Sequence, residues 1–246
     1  MTSGRQRLDE LLVLRGLAAT RAQARALIMA GRVLHGTERL DKPGKDYPVE
    51  IPLTLEQPPR FVSRGGEKLD GFLRQFGVDL RNAHVLDVGA STGGFTEVLL
   101  ERGARVVYAV DVGHGQMNPK LAADPRAILL EGVNARDLGQ TQVPEEVDAV
   151  VADVSFIGLK LVLPAALKLA HKGAWLVALV KPQFEAGVGK VGKGGIVKDK
   201  SAQEEALQNI VGWLGAQGGW SVIGTMESPI AGGDGNREFL LAARKS

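Results

Sequence analysis

Asp87-Val-Gly-Ala-Ser-Thr-Gly-Gly-Phe-Thr96 is the stretch on which the fold of this 246-residue chain turns. The apolar run 85–88 enters it as a strand, and residues 95–102 leave it with helical periodicity. A strand passing through a glycine turn into a helix is where an open parallel sheet binds ligands, against its carboxyl edge. The spacing is not G-x-G-x-x-G, and no lysine follows as in a P-loop, so the turn is not tuned to a pyrophosphate. Asp87, at the strand end, is placed to meet an ammonium group. Asp111 ends the next strand 22 residues after Gly89, where an acid hydrogen-bonds ribose hydroxyls in this architecture. This combination suits S-adenosylmethionine better than NAD. The expected cofactor contacts are Asp87, Gly89, Ala90, Ser91, Thr92, Gly93, Gly94, Phe95, Thr96, Asp111 and, on the far side, Asp153. Asn134 and Asp137, after the third strand, are placed to flank the adenine, although Asn and Asp also simply cap and turn. The plain alternative is a glycine turn that only packs helix on strand.

Outward from this turn, strands are predicted at 85–88, 106–110, 128–131, 149–153 and 175–180, alternating with helices such as 95–102 and 159–169. Such alternation predicts an α/β fold, a mostly parallel Rossmann-like sheet covered on both faces. A helix at 202–216 and two strands at 221–226 and 239–243, separated by the turn-rich 229–236, close it with an antiparallel pair. Toward the amino end, Leu8, Leu11 and Leu12 sit at helical spacing before Gly16. Thr20 and Gln23 form a capping-box pattern that opens a second helix ending at Gly31. Short strands follow, with turns at His35-Gly36 and Lys42-Pro-Gly44. Gln57-Pro-Pro59 cannot continue a helix or a central strand. The expected division is a small α+β unit at 1–56, a linker at 57–62 and a large domain at 63–246.

Composition narrows the function. With 44% hydrophobic and 24% charged residues, the chain is neither disordered nor fibrous. Residues 1–45 hold nine Lys/Arg against four Asp/Glu, so the basic excess lies in the small unit. The absence of cysteine excludes disulfides, a thiol nucleophile and Cys-based metal sites. His35, His84, His114 and His171 lack helical zinc spacing, so no metal is expected. Charges at Arg5, Arg7, Asp9 and Glu10 interrupt any secretory signal, and Lys160, Pro164, Lys168 and Lys172 break the greasiest stretch. A cytoplasmic protein with no membrane role is expected.

Asp153 and Lys181 each sit directly at the carboxyl end of a predicted strand. Charges abutting buried strands are costly unless paired, which predicts that they pair. Glu238 opens the last strand and reaches the same edge if that strand runs antiparallel. Lys68 lies on a predicted helix whose Leu69, Phe72 and Leu73 point inward; alone it reads as a solvated lysine. Methylating a ribose hydroxyl requires a base near a weakly acidic proton and strict positioning. Lysine, with an ordinary pKa of about 10.4, becomes a base only when burial and a second positive charge lower it. Lys181 is the candidate base and Lys68 the second charge, with Asp153 and Glu238 holding the two amines. The alternative is an ordinary surface ion-pair network.

Five stretches together resemble the TlyA, or hemolysin A, family of ribosomal RNA 2'-O-methyltransferases, whose catalytic domain is FtsJ-like. They are Ser63-Arg-Gly-Gly-Glu-Lys68-Leu, Asp87 to Thr96, Ala152-Asp-Val-Ser-Phe-Ile157, Val180-Lys-Pro-Gln-Phe-Glu185 and Gly235-Asn-Arg-Glu238-Phe. The resemblance implies a catalytic tetrad of Lys68, Asp153, Lys181 and Glu238. It further implies S-adenosylmethionine as cofactor and a cytidine of 16S or 23S ribosomal RNA as target, within ribosomal subunits. Residues 1–56 resemble an S4 RNA-binding domain through Arg7-Leu-Asp9, Thr20-Arg21, Gly31-Arg-Val33 and Lys42-Pro43, with His35 where S4 domains usually carry Asn. Independently, Arg5, Arg7, Arg21, Arg25 and Arg32 suit a phosphate-contacting face, the alternative being a solvated helix. Aromatics make up only 5% of the chain, which disfavours base-stacking platforms. Arg64 and the Gly187-Val-Gly-Lys190-Val-Gly-Lys193-Gly-Gly195 segment are expected to touch RNA, as is the 229–236 turn, against the alternative of mobile surface loops. Two further readings remain: a membrane-active hemolysin, and a non-catalytic RNA-binding or ribosome-assembly factor.

Overall fold

The chain divides into two units after Pro59. The computed structural model describes residues 4–57, 59–187, 189–233 and 235–246. Residues 1–3, Pro58 of the expected linker, Val188 of the Gly/Lys segment and Asp234 of the closing turn lie outside the described residues.

In the first unit, β1 (Arg5–Arg7), α1 (Leu8–Leu14), α2 (Arg21–Met29), β2 (Val33–His35), β3 (Glu38–Arg39), β4 (Asp46–Pro48) and β5 (Thr54–Leu55) follow in order. Leu8, Leu12, Ala24, Ile28 and Val33 meet in its core. Thr20 Oγ1 accepts from Gln23 N at 3.2 Å, while the Gln23 amide oxygen accepts from Ala19 N at 2.8 Å, a capping box displaced by one residue. β1 has no apolar alternation to announce it. It is a strand because β4 pairs with it antiparallel, Arg5 opposite Pro48.

The second unit runs α3 (Arg64–Phe76), β6 (His84–Val88), α4 (Gly94–Glu101), β7 (Val106–Asp111), α5 (Pro119–Ala122), β8 (Ala127–Glu131), a 3-10 turn (Ala135–Asp137), β9 (Val147–Ala152) and α6 (Leu159–Lys168). It continues with β10 (Ala170–Val180), α7 (Pro182–Glu185), α8 (Lys200–Gly215), β11 (Trp220–Glu227) and β12 (Phe239–Lys245). Seven strands form one sheet in the order β11-β12-β10-β9-β6-β7-β8. β6 to β10 run parallel, and β12 is antiparallel to both of its neighbours. Alternation along β6 divides the core. Val85 packs with Phe72, Leu73 and Leu99 of α3 and α4, whereas Leu86 and Val88 pack with Leu163, Ala166 and Ile210 of α6 and α8. No helix among the described residues is long and apolar enough to cross a membrane.

One charged hub ties α3 to its surroundings. Buried Asp70 is ion-paired with Arg60 at 2.6 Å, with Arg102 at 2.7 Å and with Arg74. Burial pushes the carboxyl up, but the three guanidiniums, Arg102 foremost, outweigh it and hold the group below its ordinary value. Asp70→Ala removes the acid the three share, with Arg60 keeping Glu101 and only Arg102 mostly buried, and is expected to lower stability by about 1–2 kcal/mol in chemical denaturation. A change within about 0.5 kcal/mol, typical of a surface substitution, contradicts the hub.

Candidate active site

β6, β7, β9 and β10 deliver their carboxyl ends to one sheet edge, and the reversed β12 delivers its amino end there. Val180 is opposite Phe239, so Lys181 and Glu238 leave the sheet at adjacent positions. Ala178 pairs with Ala152, which sets Asp153 beside them. Two glycines then let other elements close in. At Gly89, with φ +86°, an ideal Cβ would stand 2.5 Å from the Asp153 carbonyl oxygen. At Gly94 it would stand 2.0 Å from Ser63 Oγ. The sequence assigns these glycines to ligand approach. Here they admit the end of β9 and the start of α3, and it is α3 that carries Lys68.

Lys68 Nζ donates to Glu238 Oε2 at 2.5 Å; the two residues are 7% and 3% exposed, far from the solvated lysine that sequence alone reads. Lys181 Nζ stands 2.7 Å from Asp153 Oδ1 and donates to Ser155 Oγ at 2.8 Å. The Asp153 oxygen is at ion-pair distance but outside hydrogen-bond geometry. Lys68, Lys181 and Glu238 line one cavity of about 460 Å³, together with Ser155, Phe156 and Phe184. A neighbouring cavity of about 180 Å³ lies between Lys181, Asp153 and the turn residues Gly89, Ala90, Ser91, Thr92, Gly94 and Phe95. A third, of about 390 Å³, is bordered by Asp111, Asn134, Asp153, Ser155 and the apolar Val88, Val133 and Ile157.

Asp111 accepts from Ser91 N and Gly113 N, each at 2.8 Å, and so ties the glycine turn to the end of β7. Asn134 caps the 3-10 turn by accepting from Arg136 N at 3.1 Å. Asp137 is exposed on that turn and is not part of the cavity wall. Gly93 and Thr96 lie behind the lining; Gly93 stands against Met117 and Leu121, and Thr96 Oγ1 donates to Asp87 Oδ2 at 2.6 Å. Asp87 is fully buried, borders none of the three cavities and leaves Oδ1 without a hydrogen-bond partner. Burial pushes its carboxyl up to about 7, against the Thr96 hydrogen bond and reinforced by the nearby Asp153.

Most of the basic residues singled out for RNA also serve internal contacts. Arg7 and Arg21 both pair with Asp9 and Glu10 of α1, so acids that α2 lacks reach its face from the neighbouring helix. Arg5 donates to Asp46 O at 2.6 Å and Arg32 to Glu56 O at 2.9 Å. Arg64 turns to the Ala231 and Gly232 carbonyls, and Lys190 pairs with Glu205 at 2.5 Å. Arg25 and Lys193 have no partner among the described residues.

Ser155, Gln116 and Phe156 are among the lining residues to which the sequence reading gives no role of their own. Ser155 follows Asp153 by two residues in the Ala152 to Ile157 stretch, past the end of β9. Gln116, which accepts from Ser91 Oγ at 3.1 Å, lies in a turn with no marker. Phe156 is 91% exposed at φ +66° and packs its ring 5.3 Å from that of Phe184. Scarce as aromatics are, two of them stand at the wall of the lysine cavity.

A seven-stranded sheet with one reversed strand and ligand cavities at its carboxyl edge defines the S-adenosylmethionine-dependent methyltransferase class. An FtsJ-like methyltransferase model matches residues 61–245, and an S4 domain model matches residues 6–49. The chain belongs to the FtsJ-like methyltransferases, within the TlyA (hemolysin A) family. It is 45% identical over 242 residues to the 16S/23S rRNA (cytidine-2'-O)-methyltransferase TlyA of Mycobacterium tuberculosis, covering 98% of this chain and 90% of that protein. Hemolysin A of Brachyspira hyodysenteriae is 39% identical, with 95% of this chain and 98% of the relative covered. A solved structure from Streptococcus thermophilus that carries the name hemolysin superposes with a TM-score of 0.75 at 42% identity, covering 100% of this chain and 90% of that one.

The lining residues fit S-adenosylmethionine. The 390 Å³ cavity is within the usual small-molecule range, and it joins apolar walls to two carboxylates, Asp111 and Asp153, and two amides, Gln116 and Asn134. Asp87 supplies a test of the turn that needs no ligand. Its carboxyl goes from about 3.8 unfolded to about 7 folded, so the folded state holds the proton longer. Its contribution is fully present below pH 4 and is lost as pH rises through 7. Asp87→Asn is expected to raise the thermal midpoint over the parent at pH 8 by clearly more than at pH 5. A gap that is equal at both pH values, or reversed, contradicts the buried acid.

Proposed function

We propose that this chain is a cytoplasmic, S-adenosylmethionine-dependent ribosomal RNA 2'-O-methyltransferase that modifies a cytidine within ribosomal subunits. The observation that carries the reading is the pair of lysine–carboxylate contacts, Lys68 with Glu238 and Lys181 with Asp153, drawn from four separate elements to one sheet edge.

Asp111 and Asn134 hold the ribose and adenine ends of the cofactor, and the turn from Gly89 to Phe95 lies along its length. When bound, S-adenosylmethionine supplies an electrophilic methyl group. Lys181 Nζ takes the proton of the ribose 2'-hydroxyl, as a general base must from within hydrogen-bond reach. Lys68 keeps a second positive charge at the same cavity wall, where negative charge develops on that oxygen. Asp153 and Glu238 hold the two amines in place, because an unpaired buried charge would be expelled or neutralised. The amino-terminal unit docks RNA, and Arg25, without a partner among the described residues, is its most available phosphate contact. Lys190, Lys193 and Arg64 grip the substrate near the lysines.

The test is transfer of labelled methyl to unmodified ribosomal RNA. Lys181→Ala is expected to reduce transfer at least about 100-fold while RNA binding persists. Transfer at the parent's rate overturns the assignment of the base. In filter binding, affinity for RNA is expected to fall steeply with salt, and Arg25→Ala to lessen the log–log slope by about one. A flat salt response in the parent removes the docking role.

A further inference from the structure

Among the described residues, Ser155 alone borders all three cavities at the sheet edge: the one with Asp111 and Asn134, the one beside the glycine turn, and the one holding Lys68 and Glu238. Its hydroxyl is also the only hydrogen-bond acceptor of the Lys181 amine among the described residues, at 2.8 Å. We infer that Ser155 is a positioning residue for Lys181, its hydroxyl setting the direction in which the amine points. The inference rests on the reading of Lys181 as proton acceptor.

The division of labour follows from the geometry. Asp153 lies 2.7 Å from Lys181 Nζ, yet outside hydrogen-bond geometry. A Coulombic contact falls off with distance alone and keeps the charge nearby without orienting it. A hydrogen bond weakens steeply when bent, so it is the contact that aims a group. Aim matters for lysine in particular, because its nitrogen rides on a flexible four-carbon stem with rotatable donors. Asp153 therefore tethers the amine and Ser155 aims it.

The backbone around Ser155 is suited to this. Phe156, the next residue, sits at φ +66°, a left-handed conformation uncommon for a bulky side chain, which turns the chain sharply just after Ser155. Its exposed ring lies 5.3 Å from that of Phe184 of α7, the short helix that begins one residue after Lys181. Ser155 and Lys181 thus meet through their own hydrogen bond and have neighbours in ring contact.

Ser155→Ala and Ser155→Thr in the full chain, assayed with labelled S-adenosylmethionine and unmodified ribosomal RNA, test the inference. The alanine variant is expected to lose about 10- to 100-fold in kcat, the size of one hydrogen bond to a charged group, with both KM values within about twofold. Threonine, which keeps the hydroxyl, is expected to recover most of the loss. Thermal midpoint and S-adenosylhomocysteine affinity of both variants should match the parent, which separates misaiming from misfolding or a damaged cofactor site. An unchanged kcat in the alanine variant, a loss in KM alone, a shifted thermal midpoint accompanying the kcat loss, or no recovery with threonine overturns the positioning role. Lys181→Ala, run alongside, keeps the two claims apart: if it stays active the base is wrongly assigned, whereas if it is inactive and Ser155→Ala is not, only the positioning role fails.

Discussion

The direction of a single strand decides whether this molecule has a site at all. β12 runs against β10, and the register of Val180 opposite Phe239 brings Glu238 level with Lys181. Had β12 run parallel, its first residue would lie at the far edge of the sheet, about 20 Å away at roughly 3.3 Å per residue. Lys68 would then be a lysine without a carboxylate, in a place where burial leaves it 7% exposed. The reversed strand thus places one acid, and that acid makes it tolerable for α3 to bury an amine.

The four charged groups are best understood as a balanced set. Two amines and two carboxylates sit at the rim of an apolar sheet, each amine with its own acid. Burying such pairs costs desolvation that the Coulombic gain does not reliably exceed, so stability alone does not explain them. Their value is positional. Asp153 and Lys181 continue adjacent parallel strands, Glu238 continues the antiparallel one, and Lys68 comes in over the glycine turn, so their spacing is inherited from sheet register. The cavities they border lie side by side, which is the arrangement that transfer of a small group between two bound molecules demands.

Much of this was legible in the sequence, and the exceptions have physical causes. The apolar runs at 85–88, 106–110 and 175–180 announce buried strands, and charged residues directly after such runs announce an edge site. The destination of Glu238 was readable only through the assumption of an antiparallel last strand, which Phe239–Lys245 fulfils. Two kinds of information were missing. Pairing can make a strand without any local pattern, as β4 does for the arginine-rich β1. Burial of a charge is set by partners distant in the chain, so Lys68 looked solvated until Glu238, 170 residues on, was beside it. The glycines of the turn have a second neighbour that the sequence did not show: besides lining a cavity, Gly89 and Gly94 make room for protein backbone and Ser63. Asp87, expected to face an ammonium group, lies sealed behind the turn instead, because its strand phase points it at Thr96 of α4.

The most direct measurement of the central claim is nucleoside mapping after incubating unmodified 30S subunits, 50S subunits and free ribosomal RNA with labelled S-adenosylmethionine and the full chain. The account predicts label in 2'-O-methylcytidine from at least one of the three. Label confined to bases, or none in any RNA, would contradict a pocket built to deprotonate a ribose hydroxyl.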